Sequence, residues 1–127
     1  TEAEWEYAVR AGSKTEYFFG DDPSSLGKYA IYYDNLAEER THKVKGARLP
    51  NKWGLYDVYG NVWEWVEDAW KRELPGGRDP LVTSRSTHVL RGGSWRNGVE
   101  FLRSAHRNQG LPGSGNYNVG FRLVRTL

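Results

Sequence analysis

The sequence predicts a loop-rich α+β domain with one or two helices and a few short antiparallel strands. Three observations predict it. Helical periodicity survives only at the start of the chain, apolar alternation afterwards comes in short runs, and fifteen glycines among 127 residues require many tight turns. A chain of this length is most simply one domain, residues 1–127, and buries roughly two-thirds of the surface its unfolded form exposes.

Thr1-Glu2-Ala3-Glu4 has the form of a capping box, with Trp5, Ala8 and Val9 following at helical spacing and Gly12 as a stop. A helix is expected over 2–11. A helix that opens on the first residue also leads us to expect further sequence of the same fold upstream. Residues 13–50 carry no helical period, and Phe18, Phe19, Tyr29, Ile31, Tyr32 and Tyr33 are expected to be buried anchors among loops. A turn at 49–57 leads into 58–66, where Val62, Glu64 and Val66 alternate with Trp63 and Trp65 as in a strand with both faces used. A polar loop spans 71–87. His88 to Arg91 reads as a strand ending at Gly92-Gly93, which permit close backbone approach. Residues 102–107 read as a second strand and 109–118 as a flexible run. Val119, Phe121 and Leu123 then alternate toward one face in a closing strand.

No cysteine is present, so disulfides, thiolate metal sites and a cysteine nucleophile are excluded. That composition suits a reducing compartment and an exported protein alike. No run approaches the roughly 18 apolar residues of a membrane span. Residues 1–84 carry eleven basic and fifteen acidic side chains, whereas 85–127 carry seven arginines and a single acid, Glu100. These arginines either pair with carboxylates of the first half or face an anionic ligand. They form no dense stripe with interleaved aromatics, which argues against nucleic acid.

Four blocks stand in order: Thr1-Glu-Ala-Glu-Trp-Glu-Tyr-Ala-Val-Arg-Ala-Gly12, Gly54-Leu-Tyr-Asp-Val-Tyr-Gly-Asn-Val-Trp-Glu-Trp65, Val89-Leu-Arg-Gly-Gly-Ser-Trp95, and Leu102-Arg-Ser-Ala-His-Arg107 with Gly120-Phe-Arg-Leu-Val-Arg125. Together they resemble the formylglycine-generating-enzyme and sulfatase-modifying-factor family across essentially the whole chain. The resemblance implies a variant of the C-type-lectin fold, with the first third to half of the usual domain upstream. The family includes copper-dependent oxidases of a sulfatase cysteine, iron-dependent C–S bond-forming enzymes, pyoverdine-maturation enzymes, gliding-motility lipoproteins and retroelement-diversified variable proteins. Fold alone does not choose among them.

The oxidases use a cysteine pair shortly after the Arg-Gly-Gly-Ser block, where this chain reads Trp95-Arg96-Asn97-Gly98-Val99-Glu100-Phe101-Leu102. Without thiolate there is no soft ligand for copper, and no copper is expected. His42, His88 and His106 are scattered and read as surface or hydrogen-bonded residues rather than an iron site. Ser94 or Ser104 could be drawn into a Ser-His-Asp arrangement, but nothing in the sequence fixes its geometry.

The resemblance implies a calcium ion held by the side chains of Asp57 and Glu64 and the carbonyls of Gly60 and Val62. Such a hard-oxygen set suits calcium; the competing reading is that Asp57 caps the turn and Glu64 pairs with an arginine. Trp53, Trp63, Trp65 and Trp70 serve as core or as a sugar-stacking platform, and core is favoured for Trp63 and Trp65. Residues 95–117 are the expected binding segment, with Trp95, Arg96, Asn97, Glu100, Phe101, His106, Asn108, Gln109, Asn116 and Tyr117 as contact residues. Exposed aromatic, arginine and amide side chains on loops suit adaptable recognition, against the plainer reading of an ordinary polar surface. The expected function is a non-catalytic, calcium-supported domain binding a protein or a small anionic or carbohydrate ligand. An enzyme of the wider family acting with upstream residues or a partner domain is the alternative, and a structural assembly component is the second.

Overall fold

The computed structural model describes residues 1–36, 40–43 and 48–125. Helix α1 spans Glu2–Arg10. Its capping box forms as the sequence predicts, with the Glu4 amide donating to the Thr1 hydroxyl at 3.3 Å. Ala11 ends it in the left-handed region at φ 45°, one residue before Gly12. Three short 3-10 turns follow at Pro23–Lys28, Tyr33–Asn35 and Val99–Leu102. The strands are β1 (Trp63–Ala69), β2 (His88–Arg91), β3 (Arg107–Gly110) and β4 (Val119–Phe121).

The sheet order is β3-β2-β1-β4. β1 and β2 run antiparallel with an irregularity between Trp65 and Ala69, and β2 and β3 run antiparallel without one. The closing strand departs from the antiparallel expectation: β4 lies parallel to β1, Trp63 opposite Val119 and Trp65 opposite Phe121. Its alternation also fails to face the core, because Phe121 and Leu123 are 72% and 86% exposed.

The core joins Trp5 and Val9 of α1 to Tyr17, Phe18, Leu26, Ala30, Val58, Tyr59 and Leu102. Phe18 and Ile31 are buried anchors as expected, Phe19, Tyr29 and Tyr32 are half-buried, and Tyr33 is exposed. Aromatic rings take the place of regular layers: Tyr59 stacks on Phe18 at 5.3 Å and meets Tyr17 edge-on at 5.8 Å. Residues 58–62, read as strand from sequence, form instead a turn in which Asp57, Gly60 and Asn61 all have positive φ. Gly60 is required there, since a Cβ would sit 2.1 Å from the Ile31 carbonyl oxygen. At Gly92 a Cβ would lie 2.9 Å from the Val58 carbonyl, the close backbone approach anticipated for this pair.

Arg91 explains why 102–107 is not a strand. Its guanidinium is fully buried and donates to the carbonyls of Ser104 (2.7 Å), Ala105 (3.3 Å) and His106 (3.1 Å). With these carbonyls turned onto one cation, the Ser104 amide given to Glu16 and the His106 amide to Arg103, the segment turns rather than extends, and pairing starts only at Arg107. The same guanidinium reaches Glu6 at 2.6 Å and Glu2 at 3.2 Å, and lies 4.9 Å over the Trp5 ring. Burial disfavours its charged form, and Glu6 and Glu2 oppose that effect. Replacing Arg91 by Met strands these carboxylates and carbonyls, and should destabilise the fold by about 3–5 kcal/mol in urea denaturation; a loss within ~0.5 kcal/mol, typical of surface substitutions, would contradict this account.

Candidate functional site

Six of the ten predicted contact residues fall into two groups. In the first, Trp95 follows the Gly92-Gly93 turn and is held by its backbone amide to the Asn61 carbonyl at 2.9 Å. The Trp95 ring is buried and lies 6.0 Å from the ring of Tyr117, which is 64% exposed. Arg96 spans the two, its guanidinium 5.6 Å from each ring centroid and bonded to the Tyr117 hydroxyl. Residues 21 positions apart are thereby tied into one cation–aromatic unit. Asn97 buttresses it from behind, accepting from the Ser94 amide at 2.9 Å and the Ser94 hydroxyl at 2.6 Å.

In the second group, His106 packs between Phe101 (5.1 Å) and Trp63 (5.9 Å). The remaining expected residues are dispersed. Glu100 is exposed on the Val99–Leu102 turn, where its carbonyl accepts from Arg103. Asn108 and Gln109 lie on edge strand β3, Gln109 bonded to the Thr87 hydroxyl at 3.0 Å. Asn116 is exposed before β4 and accepts from the Val119 amide.

Asn118 and Ser94 were not singled out as contact residues from the sequence. The Asn118 amide nitrogen donates to the Ser94 hydroxyl at 3.1 Å, and its carbonyl receives the Trp63 amide at 2.8 Å. These bonds hold the 116–118 loop against Trp95, and only the proximity of Asn118 to β4 hinted at them. Among the described residues the two serines are engaged away from histidine: Ser94 donates to Asn97 and Ser104 pairs with Tyr59 at 2.6 Å. Of the four clustered tryptophans, Trp63 is buried, Trp65 half-buried and Trp53 49% exposed. Trp70 is half-buried, with Arg107 4.5 Å over its ring.

The turn expected to hold calcium lies just ahead of β1. Asp57 and Glu64 are buried. Glu64 accepts Trp5 Nε1 at 2.8 Å and Arg122 at 2.7 and 3.1 Å, while Arg122 Nη2 also reaches the carbonyls of Tyr56 (2.9 Å) and Asp57 (3.4 Å). Two carboxylates and two loop carbonyls are the right donor chemistry for a hard cation, and carboxylate oxygens can accept more than one partner. No group of three or more His, Asp or Glu side chains that could hold a metal occurs among the described residues, so an ion here would depend on the Gly60 and Val62 carbonyls.

Several of the C-terminal arginines are paired within the domain. Arg91 and Arg107 meet Glu2, Arg122 meets Glu64, and Arg103 approaches Glu16 only loosely at 3.9 Å. Arg96 has no carboxylate partner among the described residues.

A model of the sulfatase-modifying factor enzyme 1-like domain matches residues 1–127. The chain belongs to the sulfatase-modifying-factor family. The formylglycine-generating enzyme of Streptomyces coelicolor is 36% identical over 98% of this chain and 45% of its own length. The inactive Cα-formylglycine-generating enzyme 2 of Mus musculus is 31% identical over 98% of this chain and 41% of its own. Among solved structures, Treponema denticola variable protein 1 superposes with a TM-score of 0.84 at 36% identity, covering 95% of this chain and 44% of that one. This family domain thus spans under half the length of these relatives, and its fold is the C-type-lectin-like one.

Burial, with the Arg103 and Arg91 cations, lowers the His106 pKa below its ordinary value of 6.5. A histidine that protonates less readily when folded contributes its full stability above about pH 6.5 and loses it as pH falls below that. His106→Phe should therefore flatten the dependence of Tm on pH below about 6.5; parallel curves for both proteins would show that His106 is not the group responsible.

Proposed function

We propose that this sulfatase-modifying-factor domain is a non-catalytic ligand-binding module whose contact surface is carried by residues 95–117. The observation that carries the reading is the Arg96 unit, a cation held across Trp95 and Tyr117 without a carboxylate partner among the described residues. The exposed Tyr117 ring gives contact area at low entropic cost, and a guanidinium without a carboxylate partner among the described residues recognises carboxylate, sulfate or phosphate in a forked geometry. A protein or small molecule bearing an anionic group fits this surface, and a sugar ring stacked on the exposed Tyr117 fits it too.

Two relatives support the reading. One carries the word inactive in its name, and the other is called a variable protein. We take the second name to suggest that residues 95–117 are diversified between copies of the gene, with a retroelement as the agent. Cysteine-dependent formylglycine formation is not part of the proposal, because the chain holds no thiol to carry it. Calcium enters in a structural role: bound by Asp57, Glu64 and the Gly60 and Val62 carbonyls, it would stiffen the turn that carries Asn61, and through Asn61 the Trp95 backbone.

Amide shift mapping with a panel of acidic peptides and anionic glycans should show changes concentrated in 95–117, and Arg96→Ala should weaken binding about tenfold, ~1.4 kcal/mol. No shift anywhere in the segment would count against the binding module, and formylglycine produced from a cysteine peptide would refute the non-catalytic reading. Sequencing the gene across its source population should find substitutions gathered at the exposed positions of 95–117; invariance there removes diversification and leaves a fixed-ligand binder. For calcium, EDTA should lower Tm by a few degrees, about 1 kcal/mol's worth, and Asp57→Ala should abolish the difference. An unchanged melting curve would mean that Arg122 alone neutralises Glu64.

A further inference from the structure

The polar loop between β1 and β2 folds back onto the end of β1. The Ala69 amide donates to the Val82 carbonyl at 2.8 Å and the Trp70 amide to the Thr87 carbonyl at 2.8 Å. Arg85, between those two carbonyls in sequence, is thereby brought against residues 70–73. Together they line an open cleft of about 370 Å³, formed by Trp70, Lys71, Arg72, Glu73 and Arg85.

Arg107 sets one wall of this cleft. Its guanidinium lies 4.5 Å from the centre of the Trp70 ring and grips Glu2 at 2.6 and 2.8 Å. It also donates to the carbonyls of Lys71 at 2.7 Å and Arg72 at 3.3 Å. The charge of Arg107 is therefore met by Glu2, and the main chain of 71–72 is positioned before any ligand arrives. The charges of Lys71, Arg72 and Arg85 are not met. All three are exposed, and none makes an ion pair with a carboxylate among the described residues, Glu73 of the same cleft included. Like charges gathered on one cleft repel, and an anion among them replaces that repulsion with attraction.

The other two lining residues narrow the ligand. Trp70 is half-buried, and its ring offers a flat apolar surface to the cleft. The Glu73 carboxylate only accepts hydrogen bonds, so it favours a ligand that carries hydroxyl donors and penalises a bare polyanion. A sugar ring has both features, a C–H face that packs on an indole and hydroxyls around its rim. We infer that the Trp70 cleft binds an acidic sugar, with its sulfate or carboxylate among Lys71, Arg72 and Arg85, its ring on Trp70 and a hydroxyl on Glu73. The lining residues lie outside 95–117, so the inference stands apart from the proposed contact surface.

The probes are a heparin tetrasaccharide, its desulfated counterpart that keeps the uronic acids, neutral maltotetraose, inorganic sulfate and a short polyglutamate peptide. An acidic tetrasaccharide should shift the Trp70 indole N–H and the amides of 70–73 and 85. Replacing Arg72 and Arg85 together by Ala should weaken its binding at least about tenfold and leave Tm unchanged, because both side chains are exposed. Arg96→Ala should leave this affinity within about twofold. Trp70→Leu should weaken it as well; if that variant does not fold, the indole shift decides. Tighter binding of the sulfated probe identifies sulfate as the anion, equal binding of the two identifies carboxylate, and either result supports the inference. Maltotetraose, inorganic sulfate or polyglutamate binding as tightly as the acidic sugars overturns it, by removing the need for charge, for the ring or for a sugar. Shifts confined to Arg96 and Tyr117 also overturn it, while leaving the proposed contact surface standing.

Discussion

The buried guanidinium of Arg91 is the constraint on which the rest of the domain depends. A cation without solvent is costly unless it is paired and hydrogen-bonded, and here the groups that meet it come from two separate parts of the chain. Glu2 and Glu6 come from α1, the carbonyls of 104–106 from the approach to β3, and the Trp5 ring packs over its face. Holding those carbonyls fixes where 102–107 runs, and therefore where His106 packs between Phe101 and Trp63. Arg107 repeats the device one step outward, gripping Glu2 at 2.6 and 2.8 Å.

A second clamp works on the opposite edge of the sheet. Arg122 closes the chain onto Glu64, which also receives Trp5, so α1, β1 and the end of β4 share one polar junction. The 56–61 turn hangs from the same point through the Tyr56 and Asp57 carbonyls. Asn61 carries the register onward: its amide bonds Ile31, its carbonyl takes the Trp95 amide, and its side chain exchanges bonds with the His42 backbone. With four short strands among the described residues, the domain gains its order from such side-chain-to-backbone bonds, because the ladders alone join few residues.

This economy suits a binding module. Loops carry contact residues, and a scaffold fixed by internal charge leaves them free to vary in chemistry. The arginines divide accordingly: Arg91, Arg107 and Arg122 are spent on structure, while Arg96 lies exposed between two aromatic rings. Substitution at Arg96 or Tyr117 alters the surface without touching the two clamps.

Much of this was legible in the sequence because it is local or carried by blocks of residues. The capping box, the stop near Gly12, the His88–Arg91 strand, the close approach at Gly92 and the family itself follow from neighbouring residues and their order. The excess of arginine from residue 85 onward pointed to ion pairing with the acidic first half or to an anionic ligand, yet not to which arginines would meet carboxylates and which would not. The strand expected over 102–107 was lost to Arg91, a residue distant in sequence whose demand for carbonyls outweighs local alternation. Parallel pairing of β4, the Arg96 bridge from Trp95 to Tyr117 and the exposure of Phe121 and Leu123 are likewise tertiary outcomes. Sequence period tells which side chains share a face; only the folded chain decides what that face meets, because burial depends on partners brought together from far along the chain.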